Sequence, residues 1–367
     1  PLRLVGSEMC IRDRNSTVDT GKKRIRRLVF TVVLCPALCL GPGATAVSAQ
    51  KDSSRLSQIQ RIDSVVVLGS RRPEKIIPAQ VLDGAELQRL SVHSVADAIR
   101  YFSGVQIKDY GGIGGLKTIN VRSMGTQHVG VFYDGVQLGN AQNGQVDLGK
   151  YSLDNMAAVT LYNGQKSSGV QSAKDYASAS AVYLQTRTPE FRAGRRHNLK
   201  LTLKGGSFGT VNPSVLYEQR LGERISNSLN AEFLYTTGRY KFSYVKADGY
   251  DTTAVRRNGD VRALRIENGL FGRIKDGSWR AKVYFYNSER GYPGAFVREE
   301  PGKFKHEDRQ WDTNFFLQGA FSKAFAPWYR LSVHAKYAYD YLHYLSDPRL
   351  DVTTMYVDNH YYQQEAY

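Results

Sequence analysis

The sequence predicts an α+β domain followed by antiparallel strands of a transmembrane β-barrel. From Asn198 onward, apolar and polar residues alternate with a period of two, which gives each strand one apolar and one polar face. The connections between these strands are alternately tight and long, the asymmetry of outer-membrane barrels. Ahead of them, residues 63–187 mix capped helical stretches with short strand signals.

Residues 1–21 fit no recognisable design and are set aside as a non-native or unstructured leader. Residues 22–49 read as a secretory signal peptide. Lys22-Lys23-Arg24-Ile25-Arg26-Arg27 is its basic start, Leu28 to Leu40 its apolar stretch, and Val47-Ser48-Ala49 its small-residue cleavage site before Gln50. Pro36 and Gly41-Pro42-Gly43 make the apolar run too short to span a bilayer. All three cysteines, Cys10, Cys35 and Cys39, fall before residue 40, so the exported part carries no disulfide framework.

The 50 Lys and Arg exceed the 34 Asp and Glu by a net +16. Part of that excess sits in the leader, and the rest is scattered with no recognition helix or zinc pattern, so nucleic acid is not an expected partner. The 24 Tyr and 34 Gly against 11 Pro suit strands and turns. Aromatics beyond the needs of a core fit the girdles of a membrane barrel, which makes outer-membrane lipid an expected partner.

Residues 50–62 have the composition of a flexible tether. Asp63-Ser64-Val65-Val66-Val67 follows, a β-branched run able to add to the edge of a partner's sheet or to serve as an ordinary first strand. Asp83-x-x-Glu86 opens a helix over Gly84 to Leu90, and Ser94-x-x-Asp97 opens another over Val95 to Phe102. Val105 to Lys108 reads as a strand. Tyr110-Gly111-Gly112-Ile113-Gly114-Gly115 lacks both dinucleotide spacing and a Gly-Lys-Ser/Thr ending, so it reads as a loop and not a phosphate cradle. Leu116 to Asn140 then gives strand, tight loop, strand and an Asp134-Gly135 hairpin turn. The small residues Ala173 to Ala181 lead to a final strand ending at Thr186.

Residues 197–367 carry the alternation. Leu331, Val333, Ala335, Tyr337, Tyr339 and Tyr341 share one face, and Arg330, Ser332, His334, Lys336, Ala338 and Asp340 the other. Leu199/Leu201/Leu203, Leu229/Ala231/Phe233/Tyr235 and Trp279/Ala281/Val283/Phe285 repeat it. Leu221 to Arg224, Lys275 to Ser278 and Ala326-Pro327-Trp328 read as tight turns, Gly238 to Asp260 and Glu289 to Gln310 as long loops. A soluble sandwich is the alternative to a barrel. About 8 strands fit before Tyr367, whereas a lumen holding a domain of about 125 residues needs about 22. The chain is therefore expected to be a fragment with an incomplete barrel, or else not a plugged barrel. No hydrolase or metal motif occurs and the histidines are dispersed, so no catalytic residue, metal or cofactor is expected.

The stretch Asn120-Val121-Arg122-Ser123-Met124-Gly125, followed by Val129-Gly130-Val131-Phe132-Tyr133-Asp134-Gly135-Val136, resembles the core of the plug domain of TonB-dependent outer-membrane receptors. Ser123 stands where that family usually has Gly, and after Tyr162 the chain lacks the Pro and the Tyr-Gly of the Gly-Pro-x-x-x-Tyr-Gly that family plugs commonly carry. The order of strands and helices is similar, and Asp63 to Val67 resembles the TonB box, especially that of cobalamin receptors. The resemblance implies a non-enzymatic receptor in the bacterial outer membrane. Its box residues Asp63, Ser64, Val65, Val66 and Val67 would pair with periplasmic TonB. Its cargo would be a scarce bulky solute, cobalamin or a metal chelate (siderophore), with oligosaccharide or peptide open. Plug loops would contact that solute, through Tyr110, Gly111 and Gly112 and through Met124, Gln127 and His128. The rival readings are a passive outer-membrane pore, an outer-membrane enzyme and a secreted β-rich adhesin.

Overall fold

The computed structural model describes residues 79–366, apart from 91, 93, 140–143, 165, 167–172, 246–248, 250, 294–307 and 347–355. The leader, the signal peptide, the tether and Asp63 to Val67 lie outside the described residues.

Strand β1 (Ala79–Asp83) hands over to helix α1 (Gly84–Arg89) at the expected capping box. The Asp83 carboxylate accepts from the N–H of Ala85 at 2.9 Å and of Glu86 at 3.0 Å, and the Glu86 carboxylate accepts from the Asp83 N–H at 3.3 Å. Helix α2 (Val95–Ile99) is shorter than its periodicity predicts. The Ser94 hydroxyl accepts from the Asp97 N–H at 3.4 Å, but the Asp97 side chain accepts from that hydroxyl and from Lys117 and does not return to the Ser94 backbone. Phe102 closes a tight final turn, its N–H donating to the Ile99 carbonyl at 3.0 Å, and its ring stays buried.

Strands β2 (Val105–Tyr110) and β3 (Leu116–Val121) form an antiparallel hairpin. Gly111, Gly112 and Gly114 at its tip have φ of 132°, 68° and 77°, a region open to glycine. Strands β4 (Val129–Tyr133) and β5 (Val136–Gln137) are joined by Asp134 and Gly135 at φ of 50° and 88°, a two-residue turn with both φ positive. Although consecutive, β3 and β4 do not pair: β4 lies parallel to β7 (Ser180–Thr186). With β6 (Met156–Tyr162) the sheet order is β1-β6-β7-β4-β5. Every residue of β4 is buried, which a strand near a sheet's centre requires. Helix α3 (Ala173–Tyr176) precedes β7. Ile99, Val121, Val131, Leu148, Leu161 and Val182 form the core of this domain.

The second part is an open eight-stranded antiparallel sheet. Its strands are β8 (His197–Gly206), β9 (Thr210–Arg220), β10 (Ile225–Thr236), β13 (Val261–Ile274), β14 (Gly277–Tyr292), β15 (Asp308–Ala326), β16 (Tyr329–Leu345) and β17 (Tyr356–Ala366). Lengths of 10 to 19 residues meet or exceed what a tilted strand needs to cross hydrocarbon. The expected turns at 221–224, 275–276 and 327–328 share one end. Two expectations need correction. The stretch from Gly238 to Asp260 carries its own hairpin, β11 (Tyr240–Val245) and β12 (Asp251–Arg256). The connection placed at Glu289 to Gln310 is partly strand, because β14 runs to Tyr292 and β15 starts at Asp308.

The faces divide as the alternation requires. Leu199, Leu201 and Leu203 are 64%, 69% and 76% exposed, so among the described residues nothing covers that apolar face. Lys282, Glu232, Arg265 and Lys336 on the opposite face are buried against the first domain.

Candidate functional site

The first domain meets the wall through a polar network centred on the Asp134-Gly135 turn and through an apolar cluster in which Leu234, Ala263, Tyr284, Tyr286, Phe316 and Ala338 of the wall join the first domain's core. The Asp134 carboxylate, fully buried, lies 2.5 Å from Lys282 Nζ and 3.1 Å from Arg280 Nη1, both on β14. It also accepts from the N–H of Thr186 at 2.9 Å and its hydroxyl at 2.7 Å, which ties β7 to the turn. Burial raises the Asp134 carboxyl's pKa, but Lys282 and Arg280 pull it down further, and it lies below the ordinary carboxylate value. Lys282 Nζ also lies 2.9 Å from Glu267 on β13 and 4.1 Å from the Tyr133 ring centroid. Glu267 accepts from the Tyr133 hydroxyl at 2.6 Å and from Asn155 at 3.0 Å. Two anions and two cations are thus closed into one hydrogen-bonded cluster, the condition for charges to be tolerated out of water.

Further contacts share this chemistry. Lys150 donates to Asn314 at 2.8 Å, and the Lys150 carbonyl accepts from the Tyr284 hydroxyl at 2.5 Å. Lys336 donates to the Gln137 carbonyl at 3.1 Å, Lys204 to Asp154 at 3.1 Å and Arg265 to the Gly149 carbonyl at 2.7 Å. Aromatic contacts add to these: Tyr133 meets Phe316 edge-on at 6.0 Å, and Tyr151 lies 5.5 Å from Tyr284.

The structure separates the two groups of residues expected to contact a solute. Tyr110, Gly111 and Gly112 sit at the tip of the β2–β3 hairpin, where Arg290, near the far end of β14, donates to the Gly114 carbonyl. That places the tip at the end of the wall opposite the three tight turns. Met124, Gln127 and His128 follow the other end of β3, a six-residue strand of roughly 20 Å. The two groups therefore form no common patch and lie at opposite ends of β3. Beneath the glycine tip lies a cavity of about 540 Å³, lined by Gly112, Ile113, Asp97, Lys117, Glu232 and Arg265 among others. Burial works against the Asp97 carboxylate, but the hydrogen bond and charge of Lys117, 2.9 Å away, outweigh it and hold its pKa below the usual value.

Asp134 was legible only as a turn former. The signal for its partners is the parity of β14, where Arg280 and Lys282 alternate with the apolar Trp279, Ala281 and Val283 and so face the first domain.

Residues 74–174 match the family model of the TonB-dependent receptor plug domain. The chain is 25% identical over 249 residues to the vitamin B12 transporter BtuB of Vibrio vulnificus (strain YJ016), covering 65% of this chain and 37% of the relative. Among solved structures it is similar to the ferric yersiniabactin uptake receptor FyuA from Yersinia pestis, with a TM-score of 0.54 at 14% identity over 78% of this chain and 44% of that one. The ferric-catecholate import receptor Fiu from E. coli K12 aligns with a TM-score of 0.52 at 11% identity, over 79% of this chain and 44% of that one. The chain thus spans well under half the length of each of these relatives.

Proposed function

Since this chain carries the plug domain of the TonB-dependent receptors, seated on antiparallel strands of their barrel type, we propose that it belongs to an outer-membrane receptor for energy-coupled uptake of a scarce bulky solute. Cobalamin, or else a metal chelate, is the cargo. The observation that carries the reading is the plug match at residues 74–174 on a domain docked against the polar face of a barrel-type wall. The relative named as a vitamin B12 transporter supports cobalamin as the first ligand to try.

Solute arriving from the long-connection end meets the glycine tip at Tyr110, Gly111 and Gly112, whose exposed backbone lets a ligand approach closely. Met124, Gln127 and His128 lie away from that approach. Asp63 to Val67 adds as a strand to the periplasmic TonB protein, whose pull shifts the plug against the wall. No covalent step is needed; the work is a change in which contacts the plug keeps.

The test is uptake of labelled cobalamin by cells carrying the gene, with and without Asp63 to Val67, and with the proton gradient collapsed. Surface binding that survives both treatments while uptake is lost supports the reading. Uptake indifferent to both points to a passive pore. Absence of cobalamin binding in the intact protein removes that ligand, and metal chelates are then tried in the same assay.

A further inference from the structure

The tight-turn end of the wall holds a second cavity, of about 650 Å³, bordered by Arg280. Pairing register puts Arg220, Ser226, Phe271 and Arg280 in one row across β9, β10, β13 and β14. All four share the face that bears Lys282 and Glu267, the face toward the plug. Nearer the turns, Arg273 pairs with Ser278, and its N–H donates to the Arg224 carbonyl at 2.9 Å. Four arginines, Arg220, Arg224, Arg273 and Arg280, therefore line one cavity, against the two carboxylates of Glu190 and Glu223.

Among the described residues, only Arg280 of these four has a carboxylate within ion-pair distance, Asp134 at 3.1 Å. The Arg220 guanidinium lies 5.0 Å from the Phe191 ring centroid, which positions it without neutralising it. Unpaired cations gathered in a concave polar surface repel one another and focus a positive potential into it. Their planar N–H forks match the geometry of a carboxylate or a phosphate, and several forks around one cavity hold such a group at more than one oxygen.

We propose that this cavity is an oxyanion-binding site for the carboxylate or phosphate group of a small solute. The row of Arg220 and Arg280 faces the plug side of the wall, although Trp279 also borders the cavity, so a solute on the plug side reaches the site. Arg280 connects the site to plug docking, since an oxyanion bound there competes with Asp134 for the same guanidinium.

The test is calorimetric titration of the purified protein, in detergent free of phospholipid and at fixed ionic strength, with citrate and with inorganic phosphate as probes. Saturable binding is expected. Arg220→Gln combined with Arg273→Gln, both exposed side chains at strand ends, weakens it by roughly tenfold or more. Arg262→Gln leaves it unchanged, because Arg262 stacks over Tyr235 on the opposite face. The proposal is overturned if the wild type shows no saturation with either probe, or if the double variant binds as tightly as the wild type. Binding that requires added anionic phospholipid overturns it too, in favour of a headgroup site. The titration involves neither TonB nor transport, so its failure is separable from failure of the uptake reading.

Discussion

Asp134→Asn is the most direct probe of how the plug is held. Asparagine keeps the shape and tolerates the positive φ of 50° at this position, so the change isolates the charge. It removes the anion between Lys282 at 2.5 Å and Arg280 at 3.1 Å. Arg280 is 37% exposed and rehydrates, whereas Lys282 is 1% exposed and keeps Glu267 at 2.9 Å. Breaking one side of a buried pair costs about 3–5 kcal/mol, and the surviving Glu267 contact puts this case near the lower figure, about 3 kcal/mol. At ~1.4 kcal/mol per decade that is a roughly hundredfold rise in local opening. The readout is hydrogen exchange at the Thr186 amide, which donates to Asp134 at 2.9 Å. A change below about threefold would refute the idea that this cluster pins β7 and the turn to the wall.

The same cluster sets an acid limit. Asp134 titrates below its unfolded value near 3.9, so its contribution is complete above that pH and is lost as pH falls through the lower folded value. Exchange at Thr186 should therefore be insensitive to Asp134→Asn only under strongly acidic conditions, after correction for intrinsic exchange.

Two further changes test the faces and the caps. Val283→Arg puts a charge on the apolar face in mid-strand, at a cost of about 2–4 kcal/mol in lipid. The folded fraction on unheated gels should fall, and wild-type assembly would refute the assignment of that face to the membrane. Asp83→Ala removes the acceptor for the Ala85 and Glu86 amides and should cost about 1 kcal/mol, read as faster exchange at those two amides alone.

The wall was legible because strand faces depend only on period two, which survives without knowledge of any partner. Leu331 through Tyr341 and Trp279 through Phe285 sorted onto the apolar face from their spacing alone. The Asp134-Gly135 turn was legible for a local reason as well, since both residues tolerate positive φ. Non-local choices were not. The partner of β4 is β7, with Val129 opposite Ser180, and nothing near β4 announces it. Lys282 is 148 positions from Asp134, and at an inward-facing position it reads as one more polar wall residue. Nor was the distance between Tyr110 and His128 legible, since it is set by the length of the strand β3 that lies between them. The β11–β12 hairpin did leave a signal, the alternation Tyr240/Phe242/Tyr244, hidden in a stretch whose charge and glycine suggested a loop.

The chemistry of the plug contact bears on how a domain can be both firmly placed and movable. An apolar interface loses its whole stabilisation when water enters, at ~25 cal/mol for each Å² exposed. A charged interface behaves otherwise: desolvation had already offset most of its attraction, and entering water returns that hydration. Asp134, Lys282, Glu267, Lys150 and Arg265 give the plug contacts of the second kind with the wall, beside an apolar cluster that includes Tyr284 and Phe316, while its own core of Ile99, Val121, Val131 and Leu161 is of the first kind throughout. Force on the plug therefore meets less resistance at the wall than within the domain. The plug should slide or tilt as a unit before it unravels, with geometry fixed by directional bonds and separation eased by water.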